Sequence, residues 1–201
     1  MLLNPPRGIA GIPIRTIELA PSKLLRVSPY SSGEPYFGRS AANRFDDPTR
    51  TKKSRFGTCY LGESLEVAIA ETILHDEMPV KGRFEVAVNE LERRFCVRFA
   101  GGFPLILADL TGTALKALVG SSEISTIVPY DIPQRWARAL HNHPQGLDGL
   151  VYMSRHVNNR RAVAMFERAA HKLGTASYKP LTKAAGALAA AMDLHMTVKY
   201  L

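Results

Sequence analysis

Cysteine is scarce in this chain. Cys59 and Cys96 are the only two in 201 residues, and they form no C-x-x-C pair. That excludes a disulfide-stapled scaffold and a thiolate zinc knuckle. Long apolar runs are missing as well: none reaches the roughly 18 residues a membrane-crossing helix needs, so no membrane segment is expected. The opening MLLNPPRGIAGIPIRTIELAPSK has no basic stretch leading into an apolar core and a small-residue cleavage site, and prolines interrupt it. No cleaved leader is therefore expected, and the expected location is the cytoplasm. The phosphate-binding loops G-x-G-x-x-G and G-x-x-x-x-G-K-[ST] are both absent, which argues against an ordinary dinucleotide fold or a P-loop. So are the H-E-x-x-H and G-x-S-x-G signatures of zinc proteases and serine hydrolases. No internal repeat or low-complexity tract occurs.

What is present is ordinary for a globular domain: 46% hydrophobic and 22% charged residues, in a length suited to one domain. Basic residues outnumber acidic ones, 26 to 18, for a net charge of +8 and a pI near 9.7. Such a surface attracts anions, whether nucleic acid, nucleotide, phosphate or an acidic protein. The charge is scattered over RTKKSR (residues 50–55), Arg93–Arg94 and Arg160–Arg161. A nucleic-acid reader gathers its charge on one stripe with aromatics interleaved, so direct nucleic-acid binding is not expected.

The patterning predicts an irregular arm over residues 1–22, then a short strand at residues 23–27. Residues 28–53, rich in Ser, Gly, Pro, Asp and Arg, are too long for a turn and read as a functional loop. A strand follows at residues 57–61. Ser64 reads as an N-cap, with Val67 three residues on, for a helix over residues 65–75. Strands are expected at 84–88, 95–99, 149–153 and 162–166, and helices at 108–119, 132–141 and, in the alanine-rich tail, 181–195. Strands and helices mix without a βαβ cadence, which predicts an α+β, single mixed domain.

Several residues could carry chemistry, and each has a plainer reading. In RFDDP (residues 44–48), Arg44 offers a planar fork suited to phosphate, but Asp-Asp-Pro also starts turns, and the arginine could pair with its own aspartates. Glu71 lies mid-helix on the flank of the apolar stripe, where a carboxylate must be solvated, paired or functional. Ser154 closes an apolar strand in GLVYMSR, where it could build a site or simply cap a turn. His141 and His143 lack the further ligands zinc needs, so no metal is expected there. His75 and His156 read as surface or supporting groups, and Cys59 as a small core residue.

The order of these pieces resembles the RES-domain family, whose name records an arginine, a glutamate and a serine. RFDDP comes first, then FGTCYLGESLEVAIAET, a glycine–tyrosine strand leading into an A-x-x-E helix, and much later LDGLVYMSRH. The FGTCYLGESLEVAIAET block is the most specific of these. The resemblance runs over roughly residues 23–166 and implies a catalytic domain over 23–201 similar in fold to ADP-ribosyltransferase toxins. Carried over residue by residue, it implies a catalytic triad of Arg26, Glu71 and Ser154. Arg39 and Arg44 are alternative arginines and possible substrate contacts, Tyr60 belongs to the site, and Ser121, Ser122 and Ser125 are rival serines.

The family's activity implies depletion of NAD by cleaving the nicotinamide–ribose bond. NAD would be a consumed substrate rather than a cofactor, with inorganic phosphate as a possible co-substrate. It also implies a toxin paired with an antitoxin that carries a helix-turn-helix DNA-binding domain. The residue types suit that chemistry. A carboxylate stabilises the oxocarbenium-like ribose carbon, arginine neutralises phosphate, serine orients the ribose and tyrosine stacks on the nicotinamide. ADP-ribosyl transfer to a protein would use the same residues, and a non-enzymatic basic module would use only the charge. Whether the chain forms a homo-oligomer stays open.

Overall fold

The computed structural model describes residues 2–200. Its regular elements begin with β1 (Thr16–Leu19), β2 (Leu25–Ser28), β3 (Thr58–Gly62), α1 (Leu65–Thr72), β4 (Phe84–Ala87), α2 (Val88–Glu92) and β5 (Phe95–Phe99). They continue with β6 (Leu105–Leu110), α3 (Gly112–Leu118), α4 (Asp131–His141), β7 (Gly149–Met153), β8 (Arg161–Phe166), β9 (Ala176–Pro180), α5 (Ala187–Asp193) and β10 (Met196–Lys199). Eight strands form one sheet in the order β1-β6-β7-β8-β3-β2-β5-β9, while β10 and β4 pair in a separate ribbon. In the large sheet only β6 and β7 run parallel. The other neighbours are antiparallel. This is the α+β class that the uneven pattern of strands and helices predicts.

The centre of the sheet is buried on both faces. Along β7 and β8, Leu150, Tyr152, Ala162, Ala164 and Phe166 point into one apolar cluster, which also holds Phe45, Trp136 and Leu140. Their alternates Val151, Val163 and Met165 enter another cluster with Cys59, Leu61 and Leu107. Side chains alternate with a period of two, so a strand covered on both faces must be apolar throughout. That is why GLVYM and AVAMF read as unbroken apolar runs. Helix α4 covers the first face with Pro133, Trp136, Ala137 and Leu140, a helical i, i+3, i+4, i+7 stripe. Pro133 sits in its first turn, where no intrahelical amide donor is needed.

Three expectations are corrected. Residues 108–119 are not one helix: β6 runs to Leu110 and α3 starts only at Gly112. The switch lies at Asp109, whose Oδ1 accepts from the Thr111 amide at 2.9 Å and the Thr111 hydroxyl at 2.6 Å. The tail over 181–195 is broken as well. Gly186 takes a left-handed φ of +82°, so only Ala187–Asp193 is α-helical, and Met196–Lys199 returns as a strand parallel to β4. Nor is the segment 1–22 irregular throughout. Thr16–Leu19 pairs with β6 in the register Thr16↔Ala108 to Leu19↔Leu105. Trp136 Nε1 donates to Leu3 O at 2.9 Å, and Gln145 clamps both backbone groups of Ile14. At α1 the difference is smaller: the helix stops at Thr72 with Ile73 as its C-cap, leaving His75 on the turn beyond.

Gly149 opens β7 with no room for a side chain. A Cβ there would press on Ala164 O and lie 2.9 Å from Met165 Cα, both backbone atoms of β8. Backbone in the middle of a sheet cannot step aside, so Gly149→Ala should destabilise the fold by about 2–3 kcal/mol, the upper range for overpacking. Chemical denaturation should show a lower midpoint. An unchanged midpoint would mean that β7 and β8 do not pack this tightly.

Candidate active site

The sheet and α1 enclose a cleft of about 370 Å³, within the range of small-molecule sites. Its wall includes Arg26, Arg44, Tyr60, Glu71, His75, Tyr130, Tyr152 and Arg155. The local sequence explains how α1 comes to border it. Gly62 ends β3 where a Cβ would lie 2.9 Å from Ser64 O and 3.0 Å from Ala68 N. Only glycine lets the helix start so close to the strand it has just left. Ser64 then caps α1, its hydroxyl accepting from the Val67 amide at 3.4 Å. Buried Val67, Ala68 and Ile69 fix the rotation of the helix, which leaves Glu71 half-buried on the cleft side.

Ser154 follows the last residue of β7 and is buried. Its hydroxyl donates to Glu71 Oε1 at 2.6 Å, a short charge-assisted bond. Ser154 Oγ in turn accepts from the amides of His156 and Val157, each at 3.2 Å. A serine has one hydroxyl proton, and here Glu71 receives it. The hydroxyl therefore orients the carboxylate rather than standing free for a ribose, and it also caps the turn after β7, as the plainer reading of Ser154 expects. The rival serines lie elsewhere. Ser121 caps a short 3-10 turn (Ser122–Ser125) by accepting from the Glu123 amide, and neither it nor Ser122 or Ser125 lines the cleft.

The three arginines differ sharply. Arg26, on β2, reaches the cleft but is already engaged: its Nε lies 3.1 Å from Glu34 Oε1, and its Nη1 lies 3.3 Å from Cys59 Sγ and 3.5 Å from Tyr60 O. Arg39 is ion-paired with Glu167 at 2.5 Å and does not line the cleft. Arg44 is buried, its guanidinium 4.5 Å above the Tyr130 ring. One nitrogen donates to Ile127 O at 2.6 Å, while Nη2 is buried with no partner among the described residues. Burial pushes its pKa down from the ordinary arginine value. A buried donor without a partner calls for an explanation, and a bound anion is one.

The aspartates of RFDDP do the structural work that turn chemistry suggests. Asp46 gathers the Ser40 hydroxyl, the Asn43 amide and the Tyr60 hydroxyl. Asp47 caps Thr49 and the Phe56 amide. Neither pairs with Arg44. The Tyr60 hydroxyl also accepts from the Phe45 amide at 2.9 Å, so this tyrosine holds the loop to β3 while its ring faces the cleft. Burial raises Tyr60 and Tyr152 well above the ordinary tyrosine range, which keeps both phenols protonated.

Sequence reasoning missed Tyr130, Arg155 and His75 as cleft-lining residues, and His156 stands beside the last two. Arg155 Nε lies 2.9 Å from His156 Nε2, and the rings of His75 and His156 stand 5.2 Å apart. Burial, with Arg155 and His75 beside it, lowers His156 to a pKa of about 4, so its ring is neutral near pH 7. Arg155 and His156 directly follow Ser154, which was a usable signal; Tyr130 had none. Of the histidines weighed for a metal, His141 stacks on Phe56 and His143 contacts Ile9 O, each apart from the cleft.

Comparison with known proteins bears on the fold and the family. A protein of Sinorhizobium fredii (strain NBRC 101917 / NGR234) named "Probable toxin y4kH" is 32% identical over 101 residues, which is 50% of this chain and 79% of that protein. Among solved structures, the MbcT–MbcA toxin–antitoxin complex of M. tuberculosis contains a chain of similar fold. Its TM-score is 0.55 at 15% identity, covering 82% of this chain and 86% of that one. The family model for the RES domain matches residues 23–184, a span that holds Arg26, Glu71 and Ser154 together, and the chain belongs to the RES-domain family.

Proposed function

We propose that the cleft binds NAD and breaks its nicotinamide–ribose bond, and that the protein is the toxin of a toxin–antitoxin pair. The observation that carries this reading is Glu71, a carboxylate held by Ser154 in a cleft whose other charged side chains include Arg26, Arg44 and Arg155. As the C1′–N bond breaks, its electron pair leaves with the nicotinamide, which departs neutral. The ribose carbon becomes positive, and the fixed Glu71 carboxylate stabilises it. Inorganic phosphate then gives ADP-ribose 1-phosphate, or water gives ADP-ribose. Arg44 and Arg155, neither ion-paired among the described residues, suit the diphosphate or the phosphate nucleophile better than Arg26, which Glu34 already neutralises. Tyr60 and Tyr130, partly exposed on the cleft wall, offer aromatic surface for the nicotinamide ring.

The toxin half of the reading follows from family membership and from the names borne by its relatives. The partner would be an antitoxin with a helix-turn-helix domain that closes the cleft, and the cytoplasm is where NAD is abundant. Among the described residues no helix is long and apolar enough to cross a membrane.

Three outcomes are expected. Incubated with NAD and phosphate, the pure protein should release nicotinamide, and Glu71→Gln should reduce turnover by about a hundredfold or more, as expected on losing roughly 3 kcal/mol of transition-state stabilisation. Near-normal turnover by a folded Glu71→Gln protein would remove Glu71 from the mechanism. ADP-ribose attached to protein, in place of free products, would replace this reading with ADP-ribosyl transfer. Ser154→Ala should lower kcat about tenfold to a hundredfold with KM little changed, since the bond it loses, to a charged group, is worth roughly 1.5–3 kcal/mol and orients the carboxylate rather than the substrate. Full activity in Ser154→Ala together with a loss in Ser121→Ala, Ser122→Ala or Ser125→Ala would show that the site serine had been misassigned. Expressed alone, the active protein should arrest growth and drain cellular NAD while Glu71→Gln does not; harmless expression of a protein active on NAD would count against the toxin role.

A further inference from the structure

Glu71 has two neighbours that the proposed cleavage does not use. One ligand-capable atom each from Glu71, His75 and His156 lies within 4.8 Å of the others. The two histidines come from different elements, His75 from the turn after α1 and His156 from the turn after β7, and both are partly exposed. Two imidazoles and one carboxylate are the donor set of open, three-ligand zinc sites.

We propose that Glu71, His75 and His156 form a site for a divalent transition-metal ion, zinc above all, and that the bound ion shuts the cleft by occupying its carboxylate. The inhibitory half rests on the catalytic reading given above; the binding half does not.

The geometry favours a site that closes on the ion rather than a rigid, preformed one. Bonds of 2.0–2.1 Å in a tetrahedral arrangement put donor atoms about 3.4 Å apart, so donor atoms that lie within 4.8 Å of one another need close by no more than about 1.4 Å. The means are present. His75 lies past the end of α1, on a turn rather than inside the helix. Glu71 keeps one oxygen free, because the Ser154 hydroxyl is bonded to Oε1 alone. Arg155 Nε donates to His156 Nε2, so that contact must break, or the ion must take Nδ1. With Arg44 and Arg155 nearby, a dication is held against local positive charge. Micromolar rather than nanomolar affinity is therefore expected, enough to make zinc an inhibitor but not a permanent resident. Imidazole nitrogen selects zinc, copper or nickel over magnesium and calcium.

Calorimetric titration of the pure, NAD-free protein with zinc chloride tests the binding half. One equivalent should bind at micromolar concentration, with magnesium giving no heat, and the event should be lost in both His75→Ala and His156→Ala proteins of unchanged circular dichroism. Cobalt(II) gives a second readout: visible bands of a four-coordinate ion should appear with the original protein and vanish with either variant. No binding, or one equivalent retained in both variants, overturns the site. Zinc that binds at this cluster while NAD cleavage proceeds undiminished overturns the inhibition. A protein that binds zinc here yet never cleaves NAD leaves the site standing and removes the catalytic reading.

Discussion

The Ser154–Glu71 hydrogen bond joins residues 83 positions apart, and the arrangement of the cleft depends on it. Each end is fixed by a different constraint. Glu71 can reach inward only because Gly62 lets α1 begin against β3, and because Val67, Ala68 and Ile69 lock the helix rotation. Ser154 can meet it only because β7 lies deep in the sheet, flanked by β6 and β8. Two backbone amides then fill the acceptor positions of the hydroxyl and aim its single proton at the carboxylate. A charge held this way has little orientational freedom left, which is what a stabilising group must have before the positive charge it meets develops.

The strands around that bond were legible in the sequence because burial on both faces makes them apolar without interruption. Residues 149–153 and 162–166 need no partner information to be recognised. The misread segments are those where periods conflict or are too short. LILADLTGTALKAL supports a helical stripe and a strand equally well until the Asp109–Thr111 turn and Gly112 are given their weight. TIEL is four residues between Pro13 and Pro21, and it becomes a strand only because the edge of β6 is there to pair with it. ASYKP at β9 is another edge strand, largely open to solvent, so it carries no apolar signature. Local pattern records burial, whereas edge pairing is a tertiary event that local pattern does not carry.

The site was legible as residue types and less so as partnerships. Glu71 and Ser154 stand out through the blocks that contain them, yet nothing local says that one donates to the other, because that contact is set by the sheet order. The same holds for the arginines. Arg26, Arg39 and Arg44 are equivalent in sequence, and only the fold gives Arg26 to Glu34 and Arg39 to Glu167 while leaving Arg44 without a paired carboxylate among the described residues. The acidic residues nearest to Arg44 in sequence, Asp46 and Asp47, are spent on loop amides and hydroxyls.

That division of labour has an energetic consequence. A guanidinium buried without a paired carboxylate costs several kcal/mol of lost hydration, which one carbonyl and a ring face return only in part. The chain has 18 acidic residues, two of them within three positions of Arg44, and the fold turns both away. It instead places the Tyr130 ring below the guanidinium and the Ile127 carbonyl at one edge, contacts that hold it in place without neutralising it. Under the function proposed above, that charge is available to a bound phosphate. An anion entering the cleft meets a donor already oriented and already stripped of water, so the desolvation normally charged against binding has been met during folding. The positive balance that composition reports as a net +8 thus has a local counterpart. Arg44 and Arg155 line one cleft with the Glu71 carboxylate, an arrangement that suits the substrate proposed above, phosphates toward the arginines and sugar toward the carboxylate.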